Sequence, residues 1–108
     1  MKHLAFLLIA LPLLNAATIP PVTVTVGARS CVFKRVVHKG TVPPTPRITC
    51  SLAGTVVKTT DVTLAVGDAE GGSFDNSTIV WIVRQPLAGA FTVEAAVGVG
   101  GVLQKGSF

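Results

Sequence analysis

Short runs in which every second residue is hydrophobic constrain the fold of this chain more than any other feature. Such runs occupy residues 22–26, 48–52, 62–66 and 91–97, and Thr, Ser or Glu fills most of the alternate positions. This period is typical of a strand with one face buried and the other exposed. Residues 17–108 also contain 17 Val and 12 Thr, whose β-branched side chains favour strands. The pattern therefore predicts an all-β chain.

Other segments supply further strands. Residues 31–38 and 55–58 are extended in character, and residues 102–103 could add an edge strand. Residues 79–83 are apolar at every position and include Trp81, which predicts a central strand covered on both sides.

Two segments are predicted to be loops, because residues 41–46 contain three prolines and residues 67–77 are polar with two adjacent glycines. We therefore expect six to seven strands in a small antiparallel β-sandwich or barrel. The side chains predicted to form its core are Val24, Phe33, Ile48, Leu52, Leu64, Val80, Trp81, Ile82, Phe91 and Val93.

The N-terminus has the pattern of an export signal. Lys2 and His3 precede the apolar residues 4–14, and small residues follow, with cleavage expected after Ala16. The apolar run is too short to span a bilayer, and no later segment is long and apolar enough to do so. The chain is thus interpreted as a signal peptide, residues 1–16, and a single secreted β domain, residues 17–108, that acts outside the cell.

Two cysteines, Cys31 and Cys50, lie in the part of the chain that remains after signal removal. An even number of cysteines in an exported chain predicts a disulfide, and two allow one connectivity. Their spacing further suggests that the bridge joins neighbouring strands across the proline-rich loop. Closing a loop of about 20 residues stabilises a fold by roughly 3 kcal/mol on the chain-entropy model.

Nothing in the sequence predicts catalysis, a metal site or a cofactor. His38 is the single histidine of residues 17–108, and no Gly-x-Ser-x-Gly turn accompanies it. Asp68, Glu70 and Asp75 share the polar segment, but their spacing is not that of a twelve-residue calcium loop, which favours a solvated loop. We therefore expect a protein that is not an enzyme and has no catalytic residue, metal ligand or cofactor.

Asn76 begins the tripeptide Asn-Ser-Thr, which is an acceptor for N-linked glycans in exported chains of eukaryotes. Its position at the edge of a polar segment makes it a predicted glycosylation site.

Basic residues are concentrated between positions 29 and 47, and Lys34, Arg35, His38 and Lys39 are the predicted partner-binding residues. They could bind a protein or an anionic cell-surface polymer. Nucleic acid is a less suitable partner, because few aromatic residues are interleaved with the basic ones. The alternative is that these charges keep an edge strand from pairing with another chain.

In organisation the chain resembles the small secreted effector proteins of plant-associated fungi: a signal, a short mature chain, a disulfide and many strands. The chain shares no sequence motif with these proteins, and the resemblance implies only that it acts by binding a partner outside the cell. The predicted function is that of a small secreted, non-enzymatic interaction protein, effector-like, that binds an extracellular or host partner. Two alternatives remain: a structural or cell-surface coat protein, and a small secreted hydrolase or toxin. The oligomeric state is left open.

Overall fold

A computed structural model describes residues 19–98 and 101–108 of the chain. The predicted signal, residues 1–16, lies outside these residues. A membrane-spanning helix is absent from the part of the chain described. That part contains eight strands: β1 (Val22–Val26), β2 (Arg29–Val36), β3 (Thr45–Leu52), β4 (Thr55–Asp61), β5 (Ala69–Phe74), β6 (Ile79–Leu87), β7 (Ala90–Val97) and β8 (Leu103–Ser107).

The strands form two antiparallel meanders. The N-terminal sheet has the order β1-β2-β3-β4, and the C-terminal sheet has the order β5-β6-β7-β8. Sequential antiparallel strands need only short turns, which the glycines and the polar turn residues of this chain supply. The prediction of an all-β antiparallel sandwich is confirmed, with eight strands where six to seven were expected.

Aromatic side chains join the two sheets. Phe33 of β2 meets Trp81 of β6 edge to face, with 5.5 Å between ring centroids. Phe108 stacks on Phe91 at 5.7 Å and lies 6.3 Å from Phe33. Gly72 of β5 makes room for Trp81, because a Cβ atom at that glycine would lie 2.7 Å from the indole ring. This packing places the core between the sheets.

Six of the ten predicted core side chains are buried: Val24, Phe33, Ile48, Trp81, Phe91 and Val93. The prediction is wrong for Leu52 and Val80, which are exposed, and Leu64 and Ile82 are only half-buried. Leu52 stands at the end of β3, beyond a register shift in the β3–β4 pairing, so it extends past the core. Apart from the two cysteines, Pro46 and Gln85, the buried side chains outside the predicted core set are Val62, Phe74, Ile79, Val83, Ala95 and Phe108.

Strand β6 is covered on one side, not on two as predicted. Ile79, Trp81 and Val83 point into the core, whereas Val80 on the opposite face is 40% exposed. The physical reason is the two-layer architecture, in which no third layer of described residues covers the outer face of the C-terminal sheet.

Three local predictions were also wrong. Residues 62–66 are not a strand but connect β4 to β5 between the two sheets, and Val62 is the buried side chain of this connector. The polar segment 67–77 contains β5, whose two glycines allow it to pair with β6 beneath Trp81. Pro46 lies inside β3 as its second residue, because a strand start tolerates a missing N–H donor.

Cys31 and Cys50 form the predicted disulfide. The two residues are register partners on β2 and β3, with their Cα atoms 4.1 Å apart, and both are fully buried. The bridge therefore joins neighbouring strands across the proline-rich loop, as the spacing suggested.

Three cationic side chains reach from the N-terminal sheet to the other sheet. Arg29 forms an ion pair with Asp75 in the β5–β6 turn. Lys58 of β4 donates a hydrogen bond to the carbonyl oxygen of Ser73 at 2.9 Å and lies over the Trp81 ring. Arg35 is the third and is described with the candidate site. These contacts close the sides and ends of the sandwich around its core.

We expect replacement of both Cys31 and Cys50 by Ala to lower the free energy of unfolding by about 2–4 kcal/mol, because the unfolded chain gains the freedom that the crosslink removes. Thermal unfolding followed by circular dichroism measures this change. Reduction of the native protein serves as the control and should lower the melting temperature to a similar extent. An unchanged melting temperature in both experiments would contradict a stabilising role for the bridge.

Candidate functional site

Three connections meet at one end of the sandwich, which we call the loop end. They are the β2–β3 loop (residues 37–44), the β4–β5 connector (residues 62–68) and the β6–β7 turn (residues 88–89). The remaining turns lie at the opposite end. The cationic residues predicted to bind a partner and the largest group of pocket-lining residues lie at or near the loop end.

Cationic residues form an outward-facing group beside the loop end, which we call the basic surface: Lys34, His38, Lys39 and Arg47. Lys34 is exposed on β2 and stands directly opposite Arg47 of β3 in the antiparallel register. His38 and exposed Lys39 follow in the β2–β3 loop, and the His38 Nε2 atom is hydrogen-bonded to the hydroxyl oxygen of Thr45 at 2.7 Å. The surface therefore brings together three of the four predicted partner-binding residues.

Asp61 is the carboxylate of this surface. The Arg47 guanidinium donates two hydrogen bonds to it, from Nε to Oδ1 at 2.6 Å and from Nη2 to Oδ2 at 3.1 Å. These bonds, followed by the positive charges of Arg47 and His38, hold the pKa of Asp61 below its ordinary value, and the same bonds raise the pKa of Arg47. The ion pair with Asp61 neutralises the charge of Arg47, whereas Lys34 forms no ion pair within the described residues.

Arg35, the fourth predicted residue, lies on the other face of β2. Its Nη2 atom donates a hydrogen bond to the carbonyl oxygen of Gly89 in the β6–β7 turn, and its guanidinium lies 5.6 Å from the centroid of the Phe91 ring. The Nε atom is buried and has no hydrogen-bond partner among the described residues. Arg35 therefore faces the interior of the loop end and is separated from the basic surface.

The alternative explanation of the basic residues was wrong. It assumed that Lys34 and its neighbours protect an edge strand, but β2 pairs with β1 on one side and with β3 on the other. Charges on an internal strand have no free edge to protect.

Gln85 organises the loop end, and the sequence analysis did not single it out. It is buried, its Nε2 atom donates to the carbonyl oxygen of Leu64 at 2.6 Å, and its Oε1 atom accepts from the amide of Gly89 at 2.9 Å. Its own carbonyl oxygen accepts from the amide of Gly67 at 2.7 Å. The inward positions of β6 end in this single polar residue, a signal that could have identified it.

An apolar cleft of about 430 Å³ opens beside Gln85. Its walls come from the β2–β3 loop and the β4–β5 connector and include Val42, Pro43, Pro44, Leu64, Ala65 and Val66. A smaller pocket of about 340 Å³ adjoins it, is lined by Arg35, Phe91 and Phe108, and shares Ala88 and Gly89 with the cleft.

Asn76 lies away from these features. It is exposed in the β5–β6 turn at the opposite end of the sandwich, where the Thr78 hydroxyl donates to the carbonyl oxygen of Asp75 at 2.6 Å. Asn76 has a φ of 52°, a left-handed conformation that asparagine tolerates better than most residues. Glycosylation of Asn76 remains a prediction, and a glycan there would leave the loop end uncovered.

The acidic residues considered for metal binding do not converge. Asp75 pairs with Arg29, whereas Asp68, at the end of the β4–β5 connector, and Glu70, in β5, are exposed. Within residues 19–98 and 101–108, no three His, Cys, Asp or Glu side chains are grouped so as to hold a metal ion.

No protein-family model, curated protein or solved structure matches this chain. Function is therefore inferred from the placement and chemistry of the described side chains.

We expect Gln85→Leu to lower the free energy of unfolding by about 1–3 kcal/mol, because the carbonyl oxygen of Leu64 and the amide of Gly89 lose their buried partner. Denaturant unfolding measures the effect, and limited proteolysis should show faster cleavage in residues 62–68. The control is Gln104→Leu on β8, which makes the same chemical change away from the loop end. Equal stability of the two variants would contradict the organising role of Gln85.

Proposed function

We propose that this chain is a small secreted, non-enzymatic, effector-like protein that binds an acidic extracellular or host protein through the basic surface. The observation that carries the proposal is the placement of Lys34 directly opposite Arg47 on the outer face of an internal strand. Like charges in directly opposed cross-strand positions destabilise a sheet, and stability alone does not favour keeping them. Asp61 already pairs with Arg47, so an acidic partner that neutralises Lys34, which forms no ion pair within the described residues, provides a reason for the presence of this lysine.

The surroundings of the basic surface favour a protein over an anionic polymer. The next row of outward residues across the N-terminal sheet consists of Thr23, Val32, Thr49 and Thr59, which are register partners and carry no charge. A uniformly charged polymer would use cations spread along its path, whereas the surface of a folded protein can match a charged group beside an uncharged one. A cell-surface polymer is therefore kept as an outcome of the test.

Secretion and the absence of catalysis are parts of the same proposal. A disulfide between two buried cysteines is typical of proteins that fold in oxidising compartments, which supports export together with the N-terminal pattern. His38 is hydrogen-bonded to the Thr45 hydroxyl, but no carboxylate among the described residues accepts a hydrogen bond from its other ring nitrogen to orient it as a base, which favours a binding role for this surface over a hydrolytic one.

We expect Lys34→Ser combined with Lys39→Ser to weaken partner binding about tenfold or more, through a lower association rate and a smaller dependence on salt. The same change should leave the fold intact and raise the free energy of unfolding by about 0.2–1 kcal/mol, because repulsion between Lys34 and Arg47 is relieved. Affinity capture from extracellular fluid, followed by quantitative binding of the purified partner, measures the first effect. Denaturant unfolding measures the second.

Two further variants sharpen this experiment. Arg84→Ser with Lys105→Ser removes the same charge from the C-terminal sheet and should bind like the native protein. Asp61→Asn removes the one carboxylate that pairs with Arg47 and should strengthen binding. Equal weakening by both double variants would overturn the proposed surface, and capture of an anionic polysaccharide without protein would overturn the proposed class of partner.

A coat or structural role is the second candidate, and one observation favours it. On the uncovered face of the C-terminal sheet, Val80, Ala96 and Leu103 are register partners in one row, and Val80 and Leu103 are exposed. Such a row could join copies of the chain. Sedimentation velocity of the purified protein distinguishes the two functions, because we expect a monomer at low micromolar concentration and a coat protein would self-associate there.

A further inference from the structure

The apolar cleft at the loop end has the size and lining of a small-molecule site. Its volume of about 430 Å³ falls within the range of roughly 300–1,000 Å³ typical of ligand pockets. The one buried polar side chain at its base, Gln85, already uses its amide nitrogen and oxygen on Leu64 and Gly89. The cleft therefore offers its occupant mainly aliphatic and proline contacts, which suit a hydrocarbon chain.

The adjoining pocket contains a cation, Arg35, whose charge is not neutralised by a carboxylate of the described residues. Arg35 lines this pocket and forms no ion pair within the described part of the chain. Its Nη2 atom is hydrogen-bonded to a neutral carbonyl oxygen, and its buried Nε atom is unpartnered among the described residues. A positive charge in such surroundings is stabilised by an anion, and a guanidinium matches the two oxygens of a carboxylate.

We propose that the loop end binds a single-chain carboxylate, a fatty acid, with its hydrocarbon chain in the apolar cleft and its carboxylate at Arg35. The cleft and the pocket share Ala88 and Gly89, so one extended molecule can occupy both. The charge of the ligand is complementary to Arg35, and its chain is complementary to the cleft. This site is distinct from the proposed protein-binding function, because it uses the inward face of β2 rather than Lys34 and the outer face.

Calorimetric titration of the purified, disulfide-bonded protein tests the proposal with three probes. Decanoate has both the chain and the charge, 1-decanol has the chain alone, and acetate has the charge alone. We expect decanoate to bind at one site and about tenfold or more tightly than 1-decanol, since a charge-assisted hydrogen bond is lost with the alcohol. Acetate should show no measurable binding, because it buries almost no apolar surface.

A matched pair of variants locates the site. Val66→Asp places a carboxylate on the wall of the cleft, whereas Val56→Asp makes the same change on β4 at the opposite end. Their native side chains are 58% and 55% exposed, so neither substitution disturbs the core. Decanoate binding should weaken about tenfold or more in Val66→Asp and remain unchanged in Val56→Asp.

Arg35→Met tests the role of the charge and should remove the preference for decanoate over 1-decanol, whereas Arg35→Lys should retain part of it. If both Arg35 variants fail to fold, the probes and the Val66 and Val56 pair still decide the matter. The proposal is overturned if decanoate does not bind, if decanoate and 1-decanol bind equally, or if the two aspartate variants behave alike. None of these results depends on whether the Lys34 and Lys39 variant loses its protein partner.

Discussion

Burial of one face of each sheet against the other is the constraint on which the rest of this structure depends. A four-stranded meander has an apolar face that water must not reach, and each sheet here covers the face of the other. The contacts of Phe33 with Trp81 and of Phe91 with Phe108 occupy the space between them. A fold of this size buries little apolar surface. The buried Cys31–Cys50 bridge stabilises it without requiring a larger core.

The two-layer arrangement also divides the cations into two groups. Arg29, Arg35 and Lys58 reach from the N-terminal sheet to the other sheet, where Asp75 or a backbone carbonyl oxygen accepts their hydrogen bonds. Lys34 and Lys39 point outward and contribute nothing comparable to the fold. On β2, alternation separates Arg29 and Arg35 from Lys34, because neighbouring residues on a strand face opposite sides of the sheet. A cation that holds the sheets together is a poor candidate for partner binding, whereas an outward one opposite Arg47 is a good candidate.

The loop end is ordered by hydrogen bonds and still contains an open apolar cleft. Gln85 links β6, the β4–β5 connector and the β6–β7 turn, so the walls of the apolar cleft are held in place by hydrogen bonds rather than by filling the space between them. The apolar lining of such a cleft is exposed to water, which is less favourable in free energy than contact with an apolar ligand. Its position next to Arg35 is what distinguishes it chemically from an incidental gap between loops.

The sequence by itself determined the strand-rich fold, the disulfide and the division of β2 between inward Phe33 and outward Lys34, because alternation and cysteine number are local properties of the chain. It also placed the basic residues close together in the chain, although it could not place Arg47 opposite Lys34. Alternation also placed Arg35 on the face of Phe33, opposite Lys34. Only the tertiary structure decided that residues 62–66 cross between the sheets, that the outer face of β6 is uncovered and that Gly89 accepts the hydrogen bond of Arg35. These features depend on how the two sheets pack and on which loops, far apart in sequence, lie together. The periodicity of residues within one strand carries no information about such long-range contacts.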